Sequence, residues 1–256
     1  MVFGKHEGGP RQRAVAGVGV ALGVLAGLVV LLAGPWYQLG WVDVGTAFTM
    51  IEYGAWIGLA AAVCGFAVIL AALVARNRAR ALVGLVALVF GLGAASGHLT
   101  IQHRADSAPP IHDITTDTDD VPAFVALVDA REAAPNAVDH PGEDVIAQQQ
   151  EAYPDLESRR YGASMDAVFD AAEEAARVMQ WRIEEADRDD GRIEAVATTM
   201  WFGFQDDVVV RLREEDDGVV VDVRSASRLG RSDLGANAER IREYLAALDA
   251  RFAGED

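Results

Sequence analysis

Arg224, Arg228 and Arg231 recur at short spacing just ahead of Ser232, where apolar residues at intervals of three and four begin near Asp233. Free backbone N–H groups at a helix start, with guanidinium groups beside them, make a binding place for phosphate, sulfate or carboxylate. Arg224, Arg228, Arg231 and Ser232 are therefore the candidate anion-binding residues. Asp222 and Asp233 stand among them, and these acids are alternative, internal partners for the same arginines.

Other constellations have weaker spacing. His112, Asp113 and Asp117, followed by Asp119 and Asp120, carry cation-ligand chemistry, but their spacing matches neither a calcium loop nor a zinc motif. Asp206 and Asp207 are neighbours, so on a strand they point to opposite faces and cannot converge as paired carboxylates; a turn or cap role is expected. Ser225, Ser227 and Ser232 lack the Gly-x-Ser-x-Gly elbow, and His112 and His140 are the only histidines after His103, which argues against serine hydrolysis. Neither a glycine-rich phosphate loop nor a dinucleotide fingerprint occurs, so no cofactor is expected. Cys64, the single cysteine, sits in an apolar run and allows no intrachain disulfide.

The elements that must position these residues follow from a division near Arg104. Residues 1–104 hold seven basic and three acidic side chains, whereas the remainder holds fifteen and thirty-six, giving the chain its net −17. So acidic a second part disfavours nucleic acid, whose phosphates require Lys or Arg. Ala14 to Ala33, Gly54 to Ala75 and Ala81 to Leu99 are uncharged and long enough to cross about 30 Å of hydrocarbon. Residues 1–104 are thus expected to be a membrane anchor of three helices. Arg76, Arg78 and Arg80 fill the second connection, Arg11 and Arg13 precede the first span, and the first connection, Gly34 to Tyr53, has no basic residue. The positive-inside rule then places the N-terminus and the Arg-rich hairpin in the cytoplasm and residues after about Leu99 outside it. Trp36, Tyr37 and Trp41 are expected in the outer loop as interfacial belt residues, with Glu52, His98 and His103 also at interfacial depth. Gly19-x-x-x-Gly23-x-x-x-Gly27 suits close helix packing, within the anchor or between copies.

Residues 105–157 are rich in Pro and Asp and read as an extended wrap or linker, with a short helix at Asp144 to Ala152. In residues 158–256 the periodicity predicts a helix from Ser164 to Trp181, four strands (Arg182 to Ala186, Arg192 to Phe202, Asp207 to Arg213, Val219 to Ser227) and a closing helix through Leu245 and Phe252. If Glu215 to Gly218 form the last hairpin loop, Arg211 opposes Asp222 as a structural pair, and the sheet acquires one apolar and one polar face. Two helices over the apolar face make an α+β two-layer sandwich.

The stretches PPIHDITTD (109–117), YPD (153–155), FQDDVVVR (204–211) and VDVRSASRLGRSDLGAN (221–237) resemble the signature blocks of domain-of-unknown-function family 1499, over about residues 109–248. The resemblance implies a proteobacterial, membrane-anchored type and names no activity. Gln205 stands where many members carry lysine. The resulting expectation is a multi-pass protein of the bacterial inner membrane whose periplasmic domain binds a small anionic or lipid-like ligand, or a protein partner, without catalysis. Alternatives are a structural or assembly factor acting through its spans, as a homo-oligomer or with an envelope protein, and a metal-assisted hydrolase using the segment from His112 to Asp120.

Overall fold

The computed structural model describes residues 10–253, with side chains from Gly17 onward. Lys5 lies outside the described residues, as do the side chains of Arg11 and Arg13. The chain forms two compact units that divide between His103 and Arg104.

The first unit is built from α1 (Pro10–Gln38), α2 (Val44–Val74) and α3 (Arg78–Ser107), three helices long and apolar enough to cross a membrane. The helices run beyond the uncharged stretches. Trp36 and Tyr37 therefore belong to the last turn of α1 and not to a loop; only Leu39 to Asp43 connect α1 to α2, with Asp43 capping Thr46 N–H at 2.9 Å. Pro35 has no N–H to give to the carbonyl four residues back, but it lies in the last turn of α1, so the ladder is interrupted only where the helix is about to end. Arg78 and Arg80 are in the first turn of α3, and Asn77 accepts the Arg80 N–H at 3.1 Å.

Glycine sets the α2–α3 distance. A Cβ on Gly91 would lie 2.3 Å from Gly58 O, and one on Gly65 would lie 2.5 Å from Gly84 O, so the backbones meet directly. On α1, Gly19 and Gly23 face the Cβ atoms of Cys64 and Phe90 at 3.2 Å, whereas nothing lies within 4 Å of Gly27. Only two residues of the glycine repeat are packing positions within the chain.

The second unit is an α+β sandwich. Its antiparallel sheet runs in the order β1 (Asp113–Thr115), β6 (Gly218–Ser227), β5 (Gln205–Glu215), β4 (Arg192–Thr198), β3 (Arg182–Asp187). β2 (Arg159–Tyr161) also pairs with β6. The sheet has six strands where the sequence pattern gives four. β1 and β2 escape that pattern because three residues are too few to show alternation. The hairpin register is Arg211 opposite Asp222, Leu212 opposite Val221 and Val208 opposite Ser225.

Val208, Val210, Leu212, Val221 and Val223 lie on one face under α6 (Met165–Val178) and α7 (Ala236–Phe252), in a core with Phe169, Ile241 and Tyr244. Ser164 caps α6 as its position suggests, accepting Ala167 N–H. The opposite face is not left to water. Residues 117–140, with α4 (Val128–Glu132), cross it and pack Phe124 and Leu127 on Val196, Val209 and Ala226. Residues 105–157, expected as an extended wrap or linker, pack into the domain: they supply β1, this strap and α5 (Glu143–Ala152). Buried Gln149 of α5 closes the outer edge of β1, donating to Thr115 O at 2.7 Å and accepting Thr115 N–H at 3.0 Å, as a further strand would.

Gly91→Leu should separate α2 from α3 and destabilise the detergent-solubilised chain by about 1–3 kcal/mol. Gly93→Leu, with nothing within 4 Å of its added Cβ, should leave the thermal midpoint near that of the parent; equal losses would contradict this packing.

Candidate functional site

The strap face concentrates buried charge. Arg224 and Asp113 pair through two bonds of 2.9 and 2.8 Å, with side chains 3% and 1% exposed. Arg224 also donates to Pro122 O and Val138 O, both at 3.0 Å. Arg131, whose side chain is fully buried, reaches Asp207 and Ala226 O at 3.1 Å and Ala137 O at 2.6 Å. Both guanidinium groups lie over the Phe124 ring, 4.7 and 4.6 Å from its centroid. The carboxylate of Glu194, also buried, accepts the N–H groups of Val125, Ala126 and Leu127. At the hairpin end, Arg211 and Arg213 share Asp222 and Asp117, and Arg211 also holds Asp120.

These bonds decide the fate of the predicted anion site. Arg224 is committed to Asp113, and Arg228 pairs with Asp207 at 2.7 Å while donating to Gln205 Oε1 at 2.7 Å. Gln205 thus serves as an acceptor for the Arg228 guanidinium. Arg231 is exposed and makes no ion pair among the described residues. Ser232 accepts Leu234 N–H at 3.2 Å. The helix itself starts at Ala236, later than the apolar spacing implies, because Leu234 and Gly235 adopt positive φ. Asp233 then occupies the place of an anion, accepting Gly235 N–H at 2.8 Å and Asn237 N–H at 2.9 Å. Burial holds its carboxyl above the usual carboxylate range, against the downward pull of those two bonds. Arg224, Arg228, Arg231 and Ser232 thus do not converge on an open anion site.

The cation candidates do not converge either. Asp113 and Asp117 are consumed by arginines, and no group of three His, Cys, Asp or Glu side chains able to hold a metal occurs among the described residues. Asp206 and Asp207 do take opposite faces, but as buried ion-pair partners and not as turn residues: Asp206 meets Arg240 of α7 at 2.5 Å, Asp207 meets the strap. His112 Nδ1 and His140 Nε2 are buried without hydrogen-bond partners among the described residues. His140 Nδ1 accepts Gly142 N–H at 3.1 Å.

The open feature lies elsewhere. A cleft of about 410 Å³ runs between the end of α6, the end of β4 and one side of α7. α6 closes with Gln180 at φ +59°, Gln180 N–H bonding Arg177 O and Trp181 N–H bonding Ala176 O. This left-handed helix end turns the chain sharply and sets Trp181 into the core, stacked on Tyr244 at 4.9 Å and 18°. Thr198 and Thr199 form the opposite wall; the Thr199 hydroxyl accepts Phe204 N–H at 2.9 Å and closes the following loop. Glu239, Arg240 and Glu243 line the α7 side, a spacing that puts them on one helix surface. Sequence reasoning missed this cleft because its walls come from three separated segments; the one local signal was a tryptophan directly after an amphipathic helix.

Burial lowers the His140 pKa below 6.5, with nearby Arg224 and His112 adding to the effect and Asp113 opposing it. A depressed folded-state value means the unfolded chain binds the proton more readily, so the associated stability is complete above pH 6.5 and is lost as pH falls through the folded value. His140→Gln, which keeps an acceptor for Gly142 N–H, should flatten the fall in thermal midpoint that begins below pH 6.5. An unchanged pH profile would contradict that assignment.

No curated protein and no solved structure matches the chain significantly. A family model described as a protein of unknown function, DUF1499, matches residues 113–248, which spans β1 to the last turns of α7 and more than half of the chain. The chain that carries this strapped sheet and its cleft belongs to the DUF1499 family.

Proposed function

We propose that the protein is a membrane-anchored binding module that holds a small molecule, without transforming it, in the cleft beside α7. One contrast supports this reading. Arg224, Arg228 and Arg211 are tied to internal acids, whereas the cleft gathers Trp181, two threonines and two glutamates around open space. Open, preformed concavities with a few polar groups are where ligands bind. The anionic ligand expected from the arginines is not carried forward, since Asp233 already fills the helix start.

In this reading the three helices anchor the chain in a bacterial inner membrane. Arg76, Arg78 and Arg80 hold the α2–α3 hairpin in the cytoplasm, and the acidic domain works on the periplasmic side. A second reading, assembly through the spans, is favoured by an apolar groove of about 250 Å³ beside Gly27, Leu31, Phe90 and Gly93, which suits a helix of a partner or of a second copy. Exchange of the three spans for an unrelated anchor separates the two readings: a binding module keeps its function, an assembly factor loses it.

Native mass spectrometry of the full chain, released from mild detergent, should show a bound small molecule. Ala236→Trp places an indole in the cleft at the first residue of α7 and should remove that mass while the thermal midpoint is kept. A bound mass indifferent to Ala236→Trp would overturn the cleft assignment.

A further inference from the structure

Resting on the anchoring of the three helices in a membrane, and independent of what the cleft holds, the geometry points to a further membrane contact. The loop between β4 and β5 seats Met200 and Trp201 in the lipid interface of the bilayer that α3 leaves. The sequence sets this loop apart. After Arg104 the chain carries fifteen basic and thirty-six acidic side chains, yet Ala195 to Gln205 has neither and is the longest uncharged run of that part. An acidic surface is repelled by anionic headgroups, so a stretch without charge is where the domain can meet lipid with least repulsion.

The backbone holds the tip of the loop outward. Thr199 N–H bonds Phe204 O at 2.9 Å, Phe204 N–H bonds the Thr199 hydroxyl at 2.9 Å, and Gly203 N–H bonds Thr199 O at 2.8 Å with Gly203 at φ +68°. Phe202 is tucked beneath, 6% exposed and stacked on Phe204 at 4.9 Å. Above this base Met200 is 96% exposed and Trp201 36%, the indole lying edge-on to Phe202 at 5.0 Å. Single exposed apolar residues are ordinary, but two neighbours presented by a closed turn on an aromatic base form a contact patch. Tryptophan suits the zone between lipid tails and water, where its ring is buried and its N–H stays wet.

The loop also sits where the chain enters the domain. Thr198 and Thr199 line the cleft together with Ala236 and Glu239 of α7. Glu239 pairs with Arg104 at 3.5 Å, and the residues just before α7 hold the chain that follows α3: Ser232 Oγ donates to Pro109 O at 3.4 Å and Asp233 N–H to Ile111 O at 3.0 Å. The third uncharged stretch ends at Leu99, and residues 100–107 of α3 rise only about 12 Å beyond it. The tether from hydrocarbon to domain is therefore short, and the end bearing Met200 and Trp201 is the end it holds near the bilayer. Asp216 and Asp217, at the other end of β5, are about 34 Å further along that strand.

The test uses the full chain with Cys64→Ala, which removes the single cysteine, in nanodiscs of phosphatidylcholine and phosphatidylglycerol. A bimane label is introduced by Met200→Cys, by Asp216→Cys at the exposed tip of the β5–β6 hairpin, or by Val63→Cys at an exposed position of α2. The lipids carry a nitroxide either at the headgroup or at mid-chain. The label at position 200 should lose at least about half of its emission to the headgroup nitroxide, and the label at position 216 should keep its own. Nanodiscs contain no other protein, so only lipid can cover the tip there. Emission at position 200 indifferent to the nitroxide, as expected if the loop instead awaits a protein partner, would overturn the inference, as would equal quenching at positions 200 and 216. The label at position 63 reports the anchoring separately. Mid-chain quenching there without quenching at position 200 sinks the loop contact alone, whereas quenching at neither sinks the anchoring on which it rests.

Discussion

The Phe124 ring, against which the guanidinium groups of Arg131 and Arg224 both lie, is the contact on which the domain's construction depends. Each arginine is locked on the sheet by a buried carboxylate, Asp207 or Asp113, and each also grips strap carbonyls at Ala137, Pro122 or Val138. Moving charges out of water is costly, and well-packed apolar residues at such places are often as stable or more so. What the pairs supply is a definite register. An arginine aligned with two acceptor sets at once cannot slide, so β1 is held against β6 and the strap against β5 in one arrangement. Glu194 acts in the same way from β4, accepting three consecutive strap N–H groups, of which that of Leu127 is buried.

The helix-covered face repeats the device on a smaller scale. Asp206, Ser225, Asn237 and Arg240 join β5, β6 and α7, and Asn237 also donates to His112 O just before β1. α7 is thereby fixed at its start, where Asp233 satisfies two of the early N–H groups. Because Arg240 is held inward, the adjoining helix surface is left to Glu239 and Glu243, and the left-handed end of α6 sets Trp181 opposite them. The cleft is a consequence of how the ends of three elements are tied down, and its charge follows from which side chains that tying consumes.

Much of the architecture was legible because it is periodic. The heptad-like stripe of α7, the Ser164 cap and the alternation of β5 and β6 each repeat within one segment, and the Arg211–Asp222 pairing followed from requiring opposed residues to share a face. The parts that could not be read depend on long-range partners. β1 is three residues in a Pro/Asp-rich stretch and is a strand only because β6 lies beside it. The second sheet face reads as polar, yet residues about a hundred positions away bury it, as in the Arg224–Asp113 pair. The arginines before α7 looked like an anion site because a sequence displays charges without showing which acid each one meets. Leu234 and Gly235 at positive φ displaced the helix start, a backbone event that no apolar spacing records.

The arginines of the strap face are internal ties and not ligand groups. Nitrogen-resolved spectra of the arginine Nε–H groups in the full chain, followed while sulfate is added, test this most directly. Arg224 and Arg228, whose Nε–H groups bond Asp113 and Asp207 at 2.9 and 3.0 Å, should exchange slowly with water and keep their positions throughout the titration. Rapid exchange, or a saturable shift of either resonance with sulfate, would contradict the account.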